Sequence, residues 1–261
     1  MIFRFLLKAL KKPMQTIAFV RFFIFRPNTY ILSTMHQSGT HWLQVLLANI
    51  LSKNFNLENV SDIHAKNIIP YYPHSFLYDK DYSVPKILHS HHNRNLFFFN
   101  KPTILLVRDI RDSLVSQYEK YNKANKTDIS FSIFLRKESE DLVAGWQTFP
   151  SRVEFLNSWS GQNVLIVRYE DLKNDLIREL KRITSHIDID INKDILDFAI
   201  EESSFKKMKK MQANESETRF AINKGVVGRY KEYFSNEDMI YFQKYIIDNL
   251  QDSYGYNYEK W

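Results

Sequence analysis

The sequence predicts an α/β protein, a single domain with a central parallel β-sheet flanked by helices. Two observations support this fold class. Short aliphatic or β-branched runs with little polar alternation recur along the first two thirds of the chain, which is typical of strands buried on both faces of a parallel sheet. Patterns of helical period lie between these runs, and strand alternating with helix indicates a doubly wound sheet.

The elements follow one another in a regular order. The predicted strands are residues 30–34, 86–88, 103–107 and 164–167. The predicted helical patterns are residues 42–50, 114–121, 172–187 and 239–250. The Lys-rich stretch near residue 210 is expected to be a mobile surface segment, and no repeat or linker divides the chain. We therefore expect one domain over residues 29–261.

The composition excludes several classes of protein. Of 261 residues, 44% are hydrophobic and 25% are charged, which is ordinary for a soluble globular protein with a substantial core. The chain has no Cys, so disulfides, thiol catalysis and Cys-ligated metals are excluded. Lys and Arg exceed Asp and Glu by 36 to 30, and this net charge of +6 suits an anionic ligand or a membrane surface.

Residues 1–28 form a basic, apolar N-terminal arm or helix. Six Lys and Arg side chains interrupt its apolar residues, so no run approaches the ~20 residues that a spanning helix needs. A signal-peptide cleavage pattern is also missing. Packing of the arm on the domain is the favoured interpretation, and peripheral contact with an anionic membrane is the alternative. We expect a cytoplasmic protein.

A turn of P-loop-like form follows the first strand and opens a helix. It reads Gln37-Ser38-Gly39-Thr40. Gly39 allows close backbone approach, and the Thr40 hydroxyl with the first-turn N–H groups can bind anionic oxygens. The turn lies where open parallel sheets bind ligands, beyond the carboxyl end of a strand. An ordinary capped helix is the alternative, and a Walker A loop is excluded because its Lys is missing.

A second anion site is expected where the third strand ends. Arg108 stands at that end and Ser116 follows two helical turns later, which places a guanidinium fork and a hydroxyl within reach of one phosphate. The alternative is a structural ion pair of Arg108 with Asp109 or Asp112.

Two further segments could contribute to the same ligand site. Tyr169 follows the fourth strand and could offer an aromatic face at the same edge or simply pack there. Later in the chain, Lys224, Gly225 and Gly228 could form a loop that folds over a ligand, with a solvated basic turn as the alternative.

Taken together, the four segments resemble the motifs of sulfotransferases that use 3′-phosphoadenosine 5′-phosphosulfate (PAPS). The similar segments, in family order, are TMHQSGTHWL, RDIRDSLVSQY, VRYEDLKND and NKGVVGRYKEYF. The resemblance extends from about residue 29 to residue 234. It implies the sulfotransferase fold, PAPS as sulfuryl donor, adenosine 3′,5′-bisphosphate (PAP) as product, and no metal.

The resemblance also implies roles for individual residues. Arg108 and Ser116 would bind the 3′-phosphate, Tyr169 would lie by the adenine, and Lys224 with Gly225 would close over the 3′-phosphate. The residues in or beside the 5′-phosphosulfate loop are Gln37, Ser38, Gly39, Thr40, His41 and Trp42.

The segment KILHSHHN corresponds to the place of the family's catalytic His. His91 matches that His, and His89 falls where the family has a Lys. A neutral imidazole there would take the proton of the acceptor as it attacks sulfur. His89, His92 and Asp62 remain alternatives for the base. Metal binding by the His-rich segment is disfavoured, since no carboxylate pattern accompanies it.

The chain departs from the family pattern at Gln37, where a Lys is usual, at His36 in place of a Pro, and at Asn223 in place of an Arg.

The expected function is sulfuryl transfer to a hydroxyl or amine of a small-molecule or carbohydrate acceptor. A catalytically weak or inactive nucleotide- or sulfated-ligand-binding protein is the alternative. Nucleic acid is not expected as a partner, because the Lys206–Lys210 cluster carries no interleaved stacking aromatics.

Overall fold

The computed structural model describes residues 28–57, 62–71, 84–95, 98, 101–138, 146–213 and 225–259. The predicted N-terminal arm lies outside the described residues except for Asn28. Lys224, Asn223 and the side chain of Asp62 also lie outside them. Within the described ranges, no helix is long and apolar enough to cross a membrane.

A four-stranded, wholly parallel sheet forms the centre of the domain. Its strands are β1 (Thr29–Thr34), β2 (Lys86–Ser90), β3 (Thr103–Val107) and β4 (Leu165–Arg168). They lie in the order β2-β1-β3-β4, and Ile31 of β1 pairs with Leu88 on one side and Thr103 on the other. The predicted fold class is confirmed. All four predicted strands are present, with ends that differ by at most two residues.

Helices cover both faces of the sheet. The described helices are α1 (Thr40–Asn54), α2 (Asp62–Ile68), α3 (Ile110–Asn125), α4 (Phe131–Leu135), α5 (Phe149–Trp159), α6 (Tyr169–Asn174), α7 (Leu176–His186), α8 (Lys193–Glu202), α9 (Phe205–Ala213), a 3₁₀ helix (Arg229–Glu232) and α10 (Asn236–Asn249). The helical patterns predicted after the first and third strands and near the end of the chain correspond to α1, α3 and α10.

The core lies in two layers, one on each face of the sheet. Because side chains alternate along a strand, Leu32 joins the layer under α1 and α7, whereas Ile31 joins the layer under α3, α5 and α10. The second layer is rich in aromatic residues, and Phe149 of α5 stacks on Phe242 of α10 with ring centroids 4.8 Å apart. With both faces covered, β1, β2 and β3 are buried along their whole length, as their aliphatic sequences predict.

Two local predictions are wrong. The single helical pattern predicted over residues 172–187 is two helices, because the Asp175 side chain accepts a hydrogen bond from the Arg178 N–H (3.0 Å) and begins α7 there. The first part of the Lys-rich stretch is also ordered. It forms α9, whose Met208 is buried against the core.

The strand order fixes where a ligand can bind. From β1 the chain passes to β2 on one side and then to β3 on the other. The carboxyl ends of β1 and β3 therefore flank the topological switch point, where open α/β sheets bind their ligands.

Candidate active site

The predicted segments converge at the carboxyl edge of the sheet, and Arg108 joins them. Its Nη1 donates to the Gln37 carbonyl oxygen (3.2 Å), in the turn of residues 35–39 that follows β1. Its Nη2 donates to the Val226 carbonyl oxygen (3.1 Å), in the late loop of residues 225–228. The guanidinium also lies 4.6 Å from the centre of the Tyr169 ring, at the end of β4. Three segments far apart in sequence thus meet at one side chain.

The turn after β1 presents an uncapped helix terminus. The Ser38 hydroxyl donates to the Met35 carbonyl (2.6 Å) and closes the turn. The first backbone hydrogen bond of α1 is donated by the Leu43 N–H to the Gly39 carbonyl (3.1 Å). No side chain caps the start of the helix, and its first turn carries no acidic residue. The N–H groups of that turn therefore have no partner within the helix, and the helix dipole favours an anion there. This geometry differs from the ordinary capped helix considered as the alternative.

Gly39 and Tyr169 are in close contact beneath this turn. Gly39 has φ 91°, and a Cβ at this position would lie 2.6 Å from Cδ2 of Tyr169. The Tyr169 ring is buried, with Arg108 over its face and the edge of Trp42 at 6.1 Å. The aromatic ring predicted beside the ligand therefore also supports the turn from below.

Gly39→Ala should destabilise the protein by about 1–3 kcal/mol, because the new methyl group meets the buried Tyr169 ring and the backbone has positive φ. The free energy of unfolding in urea measures this loss. Gly161→Ala is the matched control, since Gly161 also has positive φ (66°) but nothing lies within 4 Å of a Cβ there. Equal losses in the two variants would show that the contact with Tyr169 contributes nothing.

The carboxylates near Arg108 are engaged elsewhere. Asp109 forms an ion pair with Arg111 (2.7 Å). Asp112 lies 3.9 Å from Arg108, but its oxygens accept hydrogen bonds from the backbone N–H groups of Gly228 (2.7 Å) and Tyr230 (3.0 Å). Asp112 thus ties the late loop to α3. The ion pair of Arg108 with Asp112 considered as the alternative is thus present, but it is long, and the buried Nε of Arg108 has no hydrogen-bond partner among the described residues.

Ser116 lies one helical turn beyond Asp112 on α3 and contacts the turn after β1. Its hydroxyl donates to Oε1 of Gln37 at 3.5 Å. The side chain that replaces the family's Lys therefore reaches across to α3. Gly225, in the late loop, has φ 65°, and a Cβ there would lie 3.5 Å from the Tyr169 hydroxyl.

His91 and His89 meet at the side chain of Thr34, the last residue of β1. Nδ1 of His91 lies 2.7 Å from the Thr34 carbonyl oxygen, and Nε2 of His89 lies 2.9 Å from the Thr34 hydroxyl. Because a carbonyl only accepts, we assign the His91 ring proton to Nδ1, which leaves a lone pair on Nε2. The Thr34 hydroxyl also accepts a hydrogen bond from the Thr40 hydroxyl (3.0 Å) and lies 3.0 Å from Nδ1 of His91.

This network distinguishes the two histidines chemically. Nε2 of His89 is occupied, whereas Nε2 of His91 is the basic nitrogen that hydrogen bonding to Thr34 leaves open. Burial lowers the pKa of His91 to about 4, and the charge of Arg152 adds to the effect. Burial also lowers the pKa values of His89 and of His36, whose ring centre lies 4.0 Å from that of His91. The three rings are therefore neutral at pH 7.

Sequence reasoning missed two residues of this site. Thr34 could have been found only from its place at the end of a strand beside the turn. Arg152 is wholly buried in α5 and donates to the His36 carbonyl (2.9 Å), and nothing in its local sequence signals this. Among the described residues, no group of three or more His, Asp or Glu is placed to hold a metal.

Comparison with known proteins gives a consistent result. The sulfotransferase-domain model matches residues 27–254. The 3-alpha-hydroxysteroid sulfotransferase of Cavia porcellus is 27% identical over 233 residues, which cover 82% of this chain and 80% of that protein. Sulfotransferase 2A1 of Rattus norvegicus is 26% identical over 248 residues, which cover 87% of this chain and 86% of that protein.

Solved structures share the fold. A mouse sulfotransferase complexed with PAP superposes with a TM-score of 0.64 at 22% identity, covering 90% of each chain. A retinol dehydratase in complex with retinol and PAP superposes with a TM-score of 0.61 at 17% identity, covering 92% of this chain and 86% of that one.

Proposed function

The chain belongs to the sulfotransferase-domain family, and on that premise we propose that it transfers a sulfuryl group from PAPS to a hydroxyl or amine of a small-molecule or carbohydrate acceptor. The observation that carries the proposal is the position of Arg108. Arg108 and Ser116 of α3 both contact Gln37 in the turn that precedes the uncapped start of α1, and the buried Nε of Arg108 has no hydrogen-bond partner among the described residues. Two anion-binding features thus stand side by side, as a nucleotide with a 3′-phosphate and a 5′-phosphosulfate requires.

The described residues fit such a nucleotide. The first-turn N–H groups of α1, with Ser38 and Thr40, suit the 5′-phosphosulfate. Arg108 and Ser116 suit the 3′-phosphate, because the buried Nε of Arg108 is an unused donor. Tyr169, Trp42 and Gly225 border the same space. Gln37 and His41 complete the described part of the proposed cofactor site, and Lys224, outside the described residues, stays a candidate from the sequence.

Calorimetric titration with PAP and with 5′-AMP tests the nucleotide assignment. The 3′-phosphate adds charge-assisted hydrogen bonds, so we expect PAP to bind roughly tenfold to hundredfold more tightly than 5′-AMP. Equal affinities would show that this protein does not recognise a 3′-phosphate, and the assignment of PAPS would be wrong.

His91 is the proposed general base. When bound, PAPS supplies the sulfuryl group and a phosphate leaving group. Nε2 of His91 accepts the proton of the acceptor hydroxyl, while the Thr34 carbonyl holds the ring through Nδ1–H. The N–H groups of α1 stabilise the negative charge that develops on the leaving phosphate. His89 fixes the Thr34 hydroxyl and takes no proton from the acceptor.

The pH dependence follows from the lowered pKa of His91. A base is lost when it becomes protonated, and a pKa lowered from 6.5 to about 4 moves that loss to lower pH. We expect kcat/KM to stay level as pH falls to roughly 5 and to decline below it. Circular dichroism at each pH controls for unfolding. An acid limb centred near 6.5 would indicate an ordinary, solvated histidine.

A second function is favoured by one residue. Gln37 brings no charge to the turn where the family has a Lys, so the chain could bind the nucleotide without catalysing transfer. Both functions require PAP binding, and turnover distinguishes them.

A further inference from the structure

Lys120 extends the line of α3 residues that face the site. Asp112, Ser116 and Lys120 are spaced four residues apart and so share one face of the helix. Asp112 holds the late loop, and Ser116 contacts Gln37, so this face is directed to the site. Lys120 is partly buried, and no hydrogen bond or ion pair joins its ammonium group to any residue that the structure describes. Its neighbour Glu119 is paired with Arg229 instead.

The surroundings of Lys120 are cationic. Arg152 of α5 contacts the same helix, because its Nη2 donates to Oε1 of Gln117 (2.5 Å), and its Nη1 donates to the His36 carbonyl (2.9 Å). Arg152 is completely buried, has no carboxylate partner within the described ranges, and keeps its Nε without a hydrogen bond. The charges of Lys120 and Arg152 both act on the ring of His36.

Within the part of the chain that the structure describes, neither Lys120 nor Arg152 has the counterion that burial normally requires. A buried charge is costly unless it is paired, and uncompensated cations attract an anion into the site. Burial and the charge of Arg108 lower the pKa of Lys120 to about 8, so its amine is still protonated at pH 7. An uncharged acceptor would leave this ammonium group unpaired.

We propose that Lys120 binds an anionic group of the acceptor, so that the substrate is a hydroxyl compound carrying a carboxylate, sulfate or phosphate. This rests on the proposed function. The acceptor is favoured over the cofactor because the charge of Lys120 acts on the ring of His36, which packs on the proposed base His91, and the base must contact the acceptor. Arg108, Ser116 and the start of α1 already account for the two anionic groups of the nucleotide.

Matched pairs of acceptor probes test the proposal. Two carboxylates, 4-hydroxyphenylacetate and 4-hydroxybenzoate, and the methyl ester of each are titrated into the protein with and without saturating PAP. Buffer alone is the blank. We expect each carboxylate to bind at least tenfold more tightly than its ester. Lys120→Met should remove this preference and Lys120→Arg should retain most of it. Lys123→Met, at an exposed position of the same helix, should leave it unchanged.

The outcomes separate the proposal from its premise. If neither carboxylate binds more tightly than its ester, the proposal is wrong. It is also wrong if Lys120→Met weakens PAP binding and leaves the preference for the carboxylate intact, because Lys120 would then serve the cofactor. Failure of the unmodified protein to bind PAP would instead overturn the proposed function, and the titrations without nucleotide would still measure the preference for an anion.

Discussion

His91→Gln should lower kcat by about 10²–10⁴-fold while the affinity for PAP stays within about twofold of the unmodified protein. Glutamine can still donate a hydrogen bond to the Thr34 carbonyl, as Nδ1–H of His91 does, but it cannot take a proton from an alcohol at neutral pH. The substitution therefore removes the basic nitrogen and keeps the contact that holds the side chain. Single-turnover kinetics with PAPS bound before the acceptor measures the chemical step directly.

His92→Gln is the matched control. His92 lies two residues beyond the end of β2, and its side chain is exposed. If His92 were the base, its replacement would produce the large loss and His91→Gln would not. Full activity of both His91→Gln and His92→Gln would show that the proton leaves by another route, with His89 and Asp62 as the remaining candidates from the sequence.

Arg108→Ala should weaken PAP binding roughly tenfold to hundredfold, which corresponds to the ~1.5–3 kcal/mol of a hydrogen bond to a charged group. The affinity for 5′-AMP should change much less, because that nucleotide has no 3′-phosphate. Calorimetry on both proteins with both nucleotides gives the four affinities that the comparison needs.

The same four affinities distinguish recognition from structural damage. Arg108 also donates to the Gln37 and Val226 carbonyls, so its loss could displace the turn and the late loop. A displaced turn would weaken 5′-AMP and PAP alike, whereas loss of the 3′-phosphate contact weakens PAP alone. A parallel weakening of both nucleotides would therefore contradict the assigned role of Arg108.

The sequence was sufficient to predict which segments form the site, because the carboxyl ends of parallel strands necessarily lie at one edge of a sheet. Arg108 and the turn after β1 are 71 residues apart and still meet as expected. The strands were also predictable, since their aliphatic runs reflect burial on both faces. The break at Asp175 was missed because apolar spacing continues across it, and only the side-chain cap of α7 marks the boundary.

The choice between His89 and His91 could not be read from the sequence. It depends on hydrogen bonds to Thr34, 55 and 57 residues away, and on which ring nitrogen each bond occupies. Arg152 was equally hidden, because the burial of its guanidinium arises from the packing of α5 against α3 and the turn. Long-range contacts of this kind leave no periodic signal in the chain.

Transfer of radioactive sulfur from labelled PAPS tests the central claim most directly. Once PAP binding has been measured, the protein is incubated with labelled PAPS and with the same hydroxyaryl carboxylates and methyl esters that test the role of Lys120. The label in the sulfated product is then counted. We predict that label accumulates in the product with multiple turnovers, and that His91→Gln slows its appearance by about 10²–10⁴-fold. If PAP binds but no label reaches any acceptor, the chain is a nucleotide-binding protein and sulfuryl transfer is not its function.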